Sequence, residues 1–493
     1  MAEVIEEHAE ATASAPWMLA LGPVLALAVY ALPLGLAPKA QTLLAILVLS
    51  IVFWVTEAIP APVTALLAPT LAVFFGVANV KNAFAPFGDP VIFLLIGSFL
   101  VAEATMASGL DRRLAVFILS QRWTRRSTGR LLFAMGLVTC VVSLWMSNSA
   151  TTAMMLPIGV GVLRALRRDG DDTNTPYAIA MMLMLTWSSS VAVGLPIASP
   201  PNLIAIGLSR ELTADPITFV DWTIVTMPMT AAMLALCWIL LNWRYRDAKL
   251  STAGLDDYVA SERERLGPWT LRQKSVAAVF VILVILWLTP AVLVSMVGSE
   301  HRIANWSEAH LPESFAAVFA ASLLFFLPAG GGRPALTWRE AKEIDWGTMI
   351  LFGGGLSLGK LMFDTKLADA IGGALTALIG GGGLWGITAA AIVLGIVVSE
   401  AASNTAAANA VIPVVIAVAA AAGVSPTPPI FGAALGATFG FMLPVSTPPN
   451  AIVYASGLVP LREMIRAGIW LDVSGAVLIW VFLRLLCPLF GMA

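Results

Sequence analysis

The stretch LPIASPPN at residues 195–202 returns as LPVSTPPN at residues 443–450. Both copies lie inside apolar runs, and both contain two consecutive prolines. Proline lacks a backbone N–H and clashes with the preceding turn, so each copy predicts an interrupted helix. The alternative interpretation is an ordinary loop turn between helices, where proline pairs are common. The apolar residues on both sides of each copy favour the interrupted helix.

The composition predicts the class of protein that contains these interruptions. The chain has 493 residues, of which 59% are hydrophobic and only 12% are charged, whereas soluble domains carry about 25% charged residues. Apolar runs such as 17–37 and 276–298 are long enough to cross a bilayer, which takes roughly 20 helical residues. We therefore expect an all-α polytopic membrane protein that binds the lipid bilayer and, lacking a basic face, no nucleic acid.

We expect about 11 transmembrane helices, each of which needs roughly 20 apolar residues. The predicted spans are 17–36, 41–59, 61–80, 88–120, 177–210, 221–243, 273–295, 313–330, 345–380, 428–456 and 467–490.

Two further segments, 128–166 and 385–422, have a different build. Each has two apolar arms around a polar tip, Ser147-Asn148-Ser149 in the first and Ser403-Asn404-Thr405 in the second. The arms of the first segment would reach only about 21–24 Å at 1.5 Å per residue, which is short of the roughly 30 Å hydrocarbon core. Both segments are therefore predicted to be re-entrant hairpins, whose irregular tips line a cavity.

The two halves of the chain repeat each other in opposite orientations. The segment 88–115 parallels 344–372, and in each half a long span is followed by a hairpin and an interrupted helix. Arginines flank the first hairpin on both sides, whereas the second has uncharged flanks. The positive-inside rule then places the first hairpin's ends in the cytoplasm and the second's outside. Such an inverted repeat with paired interrupted helices is typical of secondary transporters.

The polar residues at the tips and breaks suggest a chemistry. An interrupted helix frees backbone carbonyls, which hard cations such as Na⁺ accept as ligands, and Ser, Asn and Thr side chains add further oxygens. The helix that follows each tip presents a partially positive N-terminus, which attracts an anion. The four motifs contain no Arg, Lys or His, so bound cations would have to supply the counter-charge. A dicarboxylate, with one carboxylate for each half, would match the two-fold arrangement.

These residues resemble the divalent-anion/sodium symporter family, whose members carry dicarboxylates, citrate or sulfate. The resemblance covers nearly the whole chain and includes WVTEAIPAPVTALLAP at 54–69, the paired tips and the two PPN breaks. It implies a homodimer in which a transport domain moves against a scaffold domain by an elevator motion. The implied parts are a cytoplasmic tail (1–16), a first scaffold part (17–120), a first transport part (121–243, with hairpin 128–166 and broken helix 177–210), a cytoplasmic loop (244–272), a second scaffold part (273–380) and a second transport part (381–493, with hairpin 385–422 and broken helix 428–456).

The resemblance also implies which residues form the sites. The residues implied to bind substrate are Asn148, Ser149, Ser199, Pro200, Asn404, Thr405, Thr447 and Pro448. The residues implied to bind the first Na⁺ are Ser143, Ser147, Asn148 and the backbone near Ala198, and those for the second are Ser399, Ala402, Asn404 and the backbone near Ser446. Two positions depart from the family pattern, since Ser149 stands where Thr is usual and Ala198 where Gly is common. Alanine would weaken the first site if the break required a positive φ.

Three charged residues within the apolar segments leave alternatives open. Glu400, three residues before the second tip, is expected either to bind a proton or cation or to be paired structurally. Glu103 and Lys360 occupy matching positions of the repeat. A structural role in the scaffold is favoured for both, and a counter-charge to the substrate is the alternative for Lys360.

Together these patterns predict Na⁺-coupled uptake of a small dicarboxylate such as succinate, malate or fumarate. The protein would lie in the cell (inner) membrane, with a cytoplasmic N-terminus and an external C-terminus. The alternatives are a Na⁺-independent dicarboxylate exchanger, a sulfate or tricarboxylate symporter, and an anion channel. An enzyme is not expected, because no nucleophile–base pair, metal cluster or cofactor motif is visible.

Overall fold

The computed structural model describes residues 16–166, 175–245, 254–298, 300–379 and 383–493. The predicted tail, apart from residue 16, and residues 246–253 of the predicted cytoplasmic loop lie outside this part. The described chain is helical, as predicted, with one small exception. Pro328–Gly330 and Arg333–Pro334 pair as a short antiparallel hairpin.

The helices of the first half, in chain order, are α1 (Pro16–Ala31), α2 (Pro38–Thr56), α3 (Ala61–Phe74), α4 (Val80–Phe84), α5 (Pro90–Ser108), α6 (Leu110–Leu119), α7 (Thr128–Ser143), α8 (Asn148–Ala165), α9 (Pro176–Ser190), α10 (Pro200–Leu212) and α11 (Phe219–Arg244).

The helices of the second half are α12 (Leu255–Leu266), α13 (Leu271–Val297), α14 (Arg302–His310), α15 (Glu313–Leu323), α16 (Trp338–Ala341), α17 (Trp346–Asp364), α18 (Leu367–Ile379), α19 (Gly383–Ala401), α20 (Asn404–Ala421), α21 (Thr427–Ala437), α22 (Pro448–Ala455) and α23 (Leu461–Leu489).

Helices long and apolar enough to cross a membrane occur in both halves. Within the described ranges, seven segments meet this standard by length and composition. They are Pro38–Thr56, Val80–Ser108, Phe219–Arg244, Leu271–Val297, Gly383–Ala401, Asn404–Ala421 and Leu461–Leu489. Shorter apolar helices, α1 among them, accompany these. The structure thus has the multi-pass character that was predicted, while the number of eleven spans stays a prediction.

Two predicted spans, 88–120 and 345–380, are wrong as continuous helices. The first divides at Gly109 and the second at Lys366, and both residues have a positive φ, of 68° and 60°. The two residues hold equivalent places in the repeat, six positions after Glu103 and Lys360. A left-handed residue ends a helix because it turns the backbone away from the axis. The kink is therefore a property of the repeated fold, and Gly109 adopts it at lower cost than Lys366.

The two predicted hairpins are pairs of adjacent helices, α7 with α8 and α19 with α20. The turn between them is short, since Ser147 and Ser403 cap the second helix of each pair through their side chains. Both arms of the second hairpin, α19 and α20, are themselves long and apolar enough to cross a membrane. The re-entrant path of this hairpin therefore stays a prediction.

The two predicted interrupted helices lie at the centre of the protein. Residues 191–199 separate α9 from α10, and residues 438–447 separate α21 from α22. Each proline pair begins the second half-helix, at positions where a helix needs no backbone N–H. The irregular backbone is thus the segment before the prolines. Because α9 and α21 are buried along nearly their whole length, these breaks are enclosed by protein.

Small residues let neighbouring helices approach closely. At Gly97 of α5, a Cβ atom would stand 2.4 Å from the backbone carbon of Ala317 in α15. We expect Gly97→Ala to lower the free energy of unfolding by about 2 kcal/mol, because the two helices must separate. Reversible unfolding in mixed detergent micelles measures the change.

Gly373→Ala is the matched control for this prediction. Gly373 is an exposed residue of α18, and no atom of the described residues lies within 4 Å of the place that a Cβ atom would take there. Alanine at this position should be neutral or should stabilise the helix by up to about 1 kcal/mol. Equal stabilities of the two variants would contradict the tight crossing of α5 and α15.

Candidate functional site

A cavity of about 600 Å³ lies between the two hairpin tips and the two helix breaks. All eight residues predicted to bind substrate line it, four from each half of the chain. They are Asn148, Ser149, Ser199, Pro200, Asn404, Thr405, Thr447 and Pro448. The repeat therefore brings together four segments that are widely separated in sequence.

Four helices begin at this cavity. Ser147, Ser199, Ser403 and Thr447 are the N-cap residues of α8, α10, α20 and α22, and all four line the cavity. The side chains of Ser147, Ser403 and Thr447 accept hydrogen bonds from backbone N–H groups of the first turn. A helix N-terminus carries roughly half a positive charge. Four of them facing one cavity favour an anion inside it.

Behind the first tip lies a group of oxygen atoms that we call the first oxygen cluster, formed by Ser143, Asn148 and Ser189. The Ser143 hydroxyl lies 2.9 Å from the Asn148 Oδ1 atom and 3.0 Å from the Ser189 carbonyl oxygen. Ser143 is completely buried. The predicted residue Ser147 lies beside this cluster as the helix cap, and Ala198 is buried in the break that lines the same cavity.

The second half repeats this arrangement in the second oxygen cluster, formed by Ser399, Asn404 and Ala437. The Ser399 hydroxyl lies 2.8 Å from both the Asn404 Oδ1 atom and the Ala437 carbonyl oxygen. The Asn404 amide also donates to the Thr438 carbonyl oxygen at 3.2 Å. The side chains of both clusters were predicted from the sequence, but the carbonyl groups of Ser189 and Ala437, at the ends of α9 and α21, were not.

Two other residues predicted for the second cation, Ala402 and Ser446, are buried. Ala402 lies in the turn of the hairpin, and Ser446 precedes the N-cap of α22. The Ser446 hydroxyl donates to the carboxylate of Glu400 at 2.6 Å. The backbone N–H of Met442 donates to the other carboxylate oxygen at 3.0 Å. Glu400 is thus tied to the break between α21 and α22.

The substitution of Ala198 for glycine does not strain the first break. Among the described residues other than glycine, only Glu57 and Lys366 have a positive φ. Ala198 ends a short 3₁₀ turn, Pro196–Ala198, and its N–H donates to the Leu195 carbonyl oxygen. Alanine therefore presents its carbonyl group here in a conformation open to any residue.

The charged side chains at the cavity are acidic. Glu103, Glu343 and Asp345 line it, and none of the described lining residues is Arg, Lys or His. Lys360, the matching residue of Glu103, is absent from this lining and forms an ion pair with Glu211 at 2.7 Å. The ion pair accords with the structural role favoured for Lys360. Any counter-charge to a bound anion must come from helix N-termini or from bound cations.

An asymmetric bridge joins the halves at the two PPN motifs. The Asn450 Oδ1 atom accepts a hydrogen bond from the Thr186 hydroxyl at 2.6 Å, and its amide donates to the carbonyl oxygens of Gly440 and Leu443. Among the described residues, Asn202, the equivalent residue of the first half, donates only to Leu195, and its buried Oδ1 atom has no donor. Thr186 precedes Asn202 by sixteen residues, and Ala434 precedes Asn450 by the same number. Ala434 is therefore the counterpart of Thr186 in the repeat, but it has no hydroxyl to donate to Asn202. This bridge was not predicted from the sequence.

Comparisons with known proteins agree with this architecture. The model of the family described as "sodium:sulfate symporter transmembrane region" matches residues 13–492. A sodium-dependent dicarboxylate transporter of Staphylococcus saprophyticus is 30% identical over 488 residues, covering 95% of this chain and 91% of the relative. Its counterpart in Staphylococcus aureus is 29% identical over 490 residues, covering 96% and 91%.

A solved structure has a similar fold. The crystal structure of the YdaH transporter of Alcanivorax borkumensis superposes with a TM-score of 0.57 over 85% of this chain and 88% of that chain. Since the sequences are only 17% identical, this likeness concerns the fold alone.

Proposed function

The chain belongs to the sodium:sulfate symporter family, a family of membrane transporters and not of enzymes, and we propose that it imports a small dicarboxylate together with Na⁺. The substrate class is that of succinate, malate and fumarate. The relatives described as sodium-dependent dicarboxylate transporters support this proposal.

The observation that carries the proposal is the absence of basic side chains among the described residues lining the cavity. A dicarboxylate brings two negative charges to a lining that already contains Glu103, Glu343 and Asp345. The partial charges of four helix N-termini offset only part of this. Cations held by neutral oxygens next to the cavity would offset the remainder, so that the anion binds well only when the cations are bound.

The two oxygen clusters are the proposed cation sites. The first would use Ser143, Ser147, Asn148 and the carbonyl group near Ala198, and the second Ser399, Ala402, Asn404 and the carbonyl group near Ser446. Both clusters offer hydroxyl, amide and carbonyl oxygens, the ligand type that hard cations accept. Asn148 and Asn404 belong to both a cluster and the cavity lining, which would couple cation binding to substrate binding.

The position of the cavity supports an elevator mechanism. Its lining includes the tips and breaks of the proposed transport parts, together with Pro62, Phe99 and Glu103 of the proposed first scaffold part. A substrate held at such a boundary could be carried across by the transport parts while the scaffold remained fixed. The homodimer, the cytoplasmic N-terminus and the external C-terminus complete the proposal, and they rest on the family resemblance and the positive-inside rule.

Uptake of labelled succinate into proteoliposomes tests the coupling. Replacing external Na⁺ with choline should reduce the initial rate roughly 100-fold, as expected when a coupling free energy of about 3 kcal/mol is lost. Vesicles preloaded with succinate provide the control, because a Na⁺-independent exchanger would keep its rate in choline. Retention of rapid uptake in choline would therefore reject Na⁺ coupling.

Sulfate transport is the second candidate, favoured by the description of the family model. Competition with unlabelled anions separates the two. We expect succinate, malate and fumarate to block uptake and sulfate and citrate to block it weakly, because each half of the cavity contributes four of the proposed binding residues and could hold one carboxylate. A stronger block by sulfate would assign the protein to inorganic anion transport.

A further inference from the structure

A pair of acidic residues, Glu400 and Asp472, lies outside the cavity lining, where α23 crosses the break between α21 and α22. Gly468 and Gly475 of α23 pack directly on this break, since a Cβ atom would stand 2.5 Å from the Phe441 carbonyl oxygen and 2.3 Å from the Phe439 ring. Asp472 lies between these two glycines on the same face and is only 5% exposed. The carboxylate of Asp472 is therefore pressed into the protein interior.

The described structure gives Asp472 no hydrogen-bond donor. Both of its carboxylate oxygens are buried without a partner. Glu400 reaches the same break, since its carboxylate accepts a hydrogen bond from the N–H of Met442, on which Gly468 packs, and its charge acts on Asp472. Glu400 is itself only 8% exposed. Neither residue forms an ion pair with Arg, Lys or His within the described ranges.

Two such carboxylates are unstable as an isolated pair. Each charge removed from water costs several kcal/mol unless a partner compensates it, and the two like charges repel each other. While both are ionised, the two carboxylates also offer no proton donor between them, and a proton shared by the pair is the alternative to a cation. A cation between them would remove all three costs, and their oxygens are ligands that a hard cation accepts.

We propose that Glu400 and Asp472 bind one further Na⁺ ion, beside the second oxygen cluster. Ser446 links the two places, because its hydroxyl donates to Glu400 while its backbone belongs to the proposed second cation site. This inference rests on the proposed function, since it assigns an additional coupling ion to the same transport cycle. An extra positive charge here would lower the cost of bringing the dianion to the nearby cavity.

The equivalent places of the first half cannot form such a site. Leu144 precedes Ser147 by three residues, as Glu400 precedes Ser403. Ala198 stands where the second half has Ser446. The pair is therefore a single addition to one half of an otherwise repeated arrangement, and it would make the number of coupling ions exceed the number of repeated clusters.

Asp472→Asn tests the proposal. In proteoliposomes, the ratio of radioactive Na⁺ to labelled succinate should fall by one ion, and the Na⁺ concentration for half-maximal uptake should rise roughly tenfold. In detergent without substrate, the variant should lose part of the Na⁺-induced thermal stabilisation of the wild type. Asp369→Asn, at an exposed carboxylate of α18, is the matched control and should change none of these quantities.

The outcomes are distinct. An unchanged ratio of Na⁺ to succinate and an unchanged half-saturating Na⁺ concentration in Asp472→Asn would overturn the proposal. The proposal would also fail if the variant lost one co-transported proton instead of one Na⁺, as measured with a pH dye in the lumen. If Asp472→Asn does not fold, Glu400→Gln replaces it in the same measurements. The ratio of Na⁺ to succinate in the wild type is a further test, because a ratio of two would leave no ion for this site. A wild type without Na⁺-dependent uptake would instead reject the proposed function, and the detergent measurement would still report on the pair.

Discussion

Replacing Asn404 with alanine should reduce the initial rate of succinate uptake about 100-fold, with expression unchanged. The Asn404 Oδ1 atom accepts a hydrogen bond from the Ser399 hydroxyl at 2.8 Å, and Asn404 lines the cavity at the start of α20. The substitution removes a proposed ligand of both the second cation and the substrate. Two lost polar contacts of about 1.5 kcal/mol each account for the size of the effect. Asn148→Ala should act in the same way in the first half.

Asn409→Ala provides the control on the same helix. Asn409 is a buried residue of α20 whose amide donates to the Leu351 carbonyl oxygen at 3.2 Å, and it is absent from the cavity lining. This variant should lose some stability but keep the uptake rate per folded molecule. Wild-type rates in both Asn148→Ala and Asn404→Ala would show that the substrate site lies elsewhere.

The polar turns between paired helices and the helix breaks could be predicted because their signals are local. Ser147 and Ser403 cap helices that begin at the next residue, and each proline pair begins a half-helix. The kinks were missed for a physical reason. Gly109 is a usual residue for a left-handed helix end, whereas lysine seldom adopts a positive φ, so that Lys366 gives no local signal of the second kink.

The site itself could be predicted only in part. Ser143 and Asn148 are five residues apart, so their hydrogen bond follows from the shape of one hairpin tip. The carbonyl group of Ser189 and the partner of Lys360 come from other helices. Such pairings depend on how the helices pack, which a pattern within one segment does not determine. The acidic pair of Glu400 and Asp472 could not be predicted for the same reason, because its two residues lie on different helices, α19 and α23.

Asn450→Ala should destabilise the protein far more than Asn202→Ala, although the two asparagines are equivalent in the repeat. Asn450 makes three side-chain hydrogen bonds, to Thr186, Gly440 and Leu443, and its loss leaves their polar groups buried without partners. We expect the free energy of unfolding to fall by about 3 kcal/mol. Within the part of the chain that the structure describes, Asn202 makes one such bond and its Oδ1 atom already lacks a donor, so its loss should cost about 1 kcal/mol.

Thr186→Val isolates the contact between the halves, because it removes the hydroxyl and keeps the shape of the side chain. The coupling free energy between Thr186 and Asn450 is obtained from the unfolding of Thr186→Val, Asn450→Ala and the double variant in mixed detergent micelles. We expect a coupling of about 1–2 kcal/mol, since the 2.6 Å hydrogen bond is completely buried. Additive effects, or equal losses in Asn450→Ala and Asn202→Ala, would contradict the asymmetric bridge and with it the dependence of the second break on the first half.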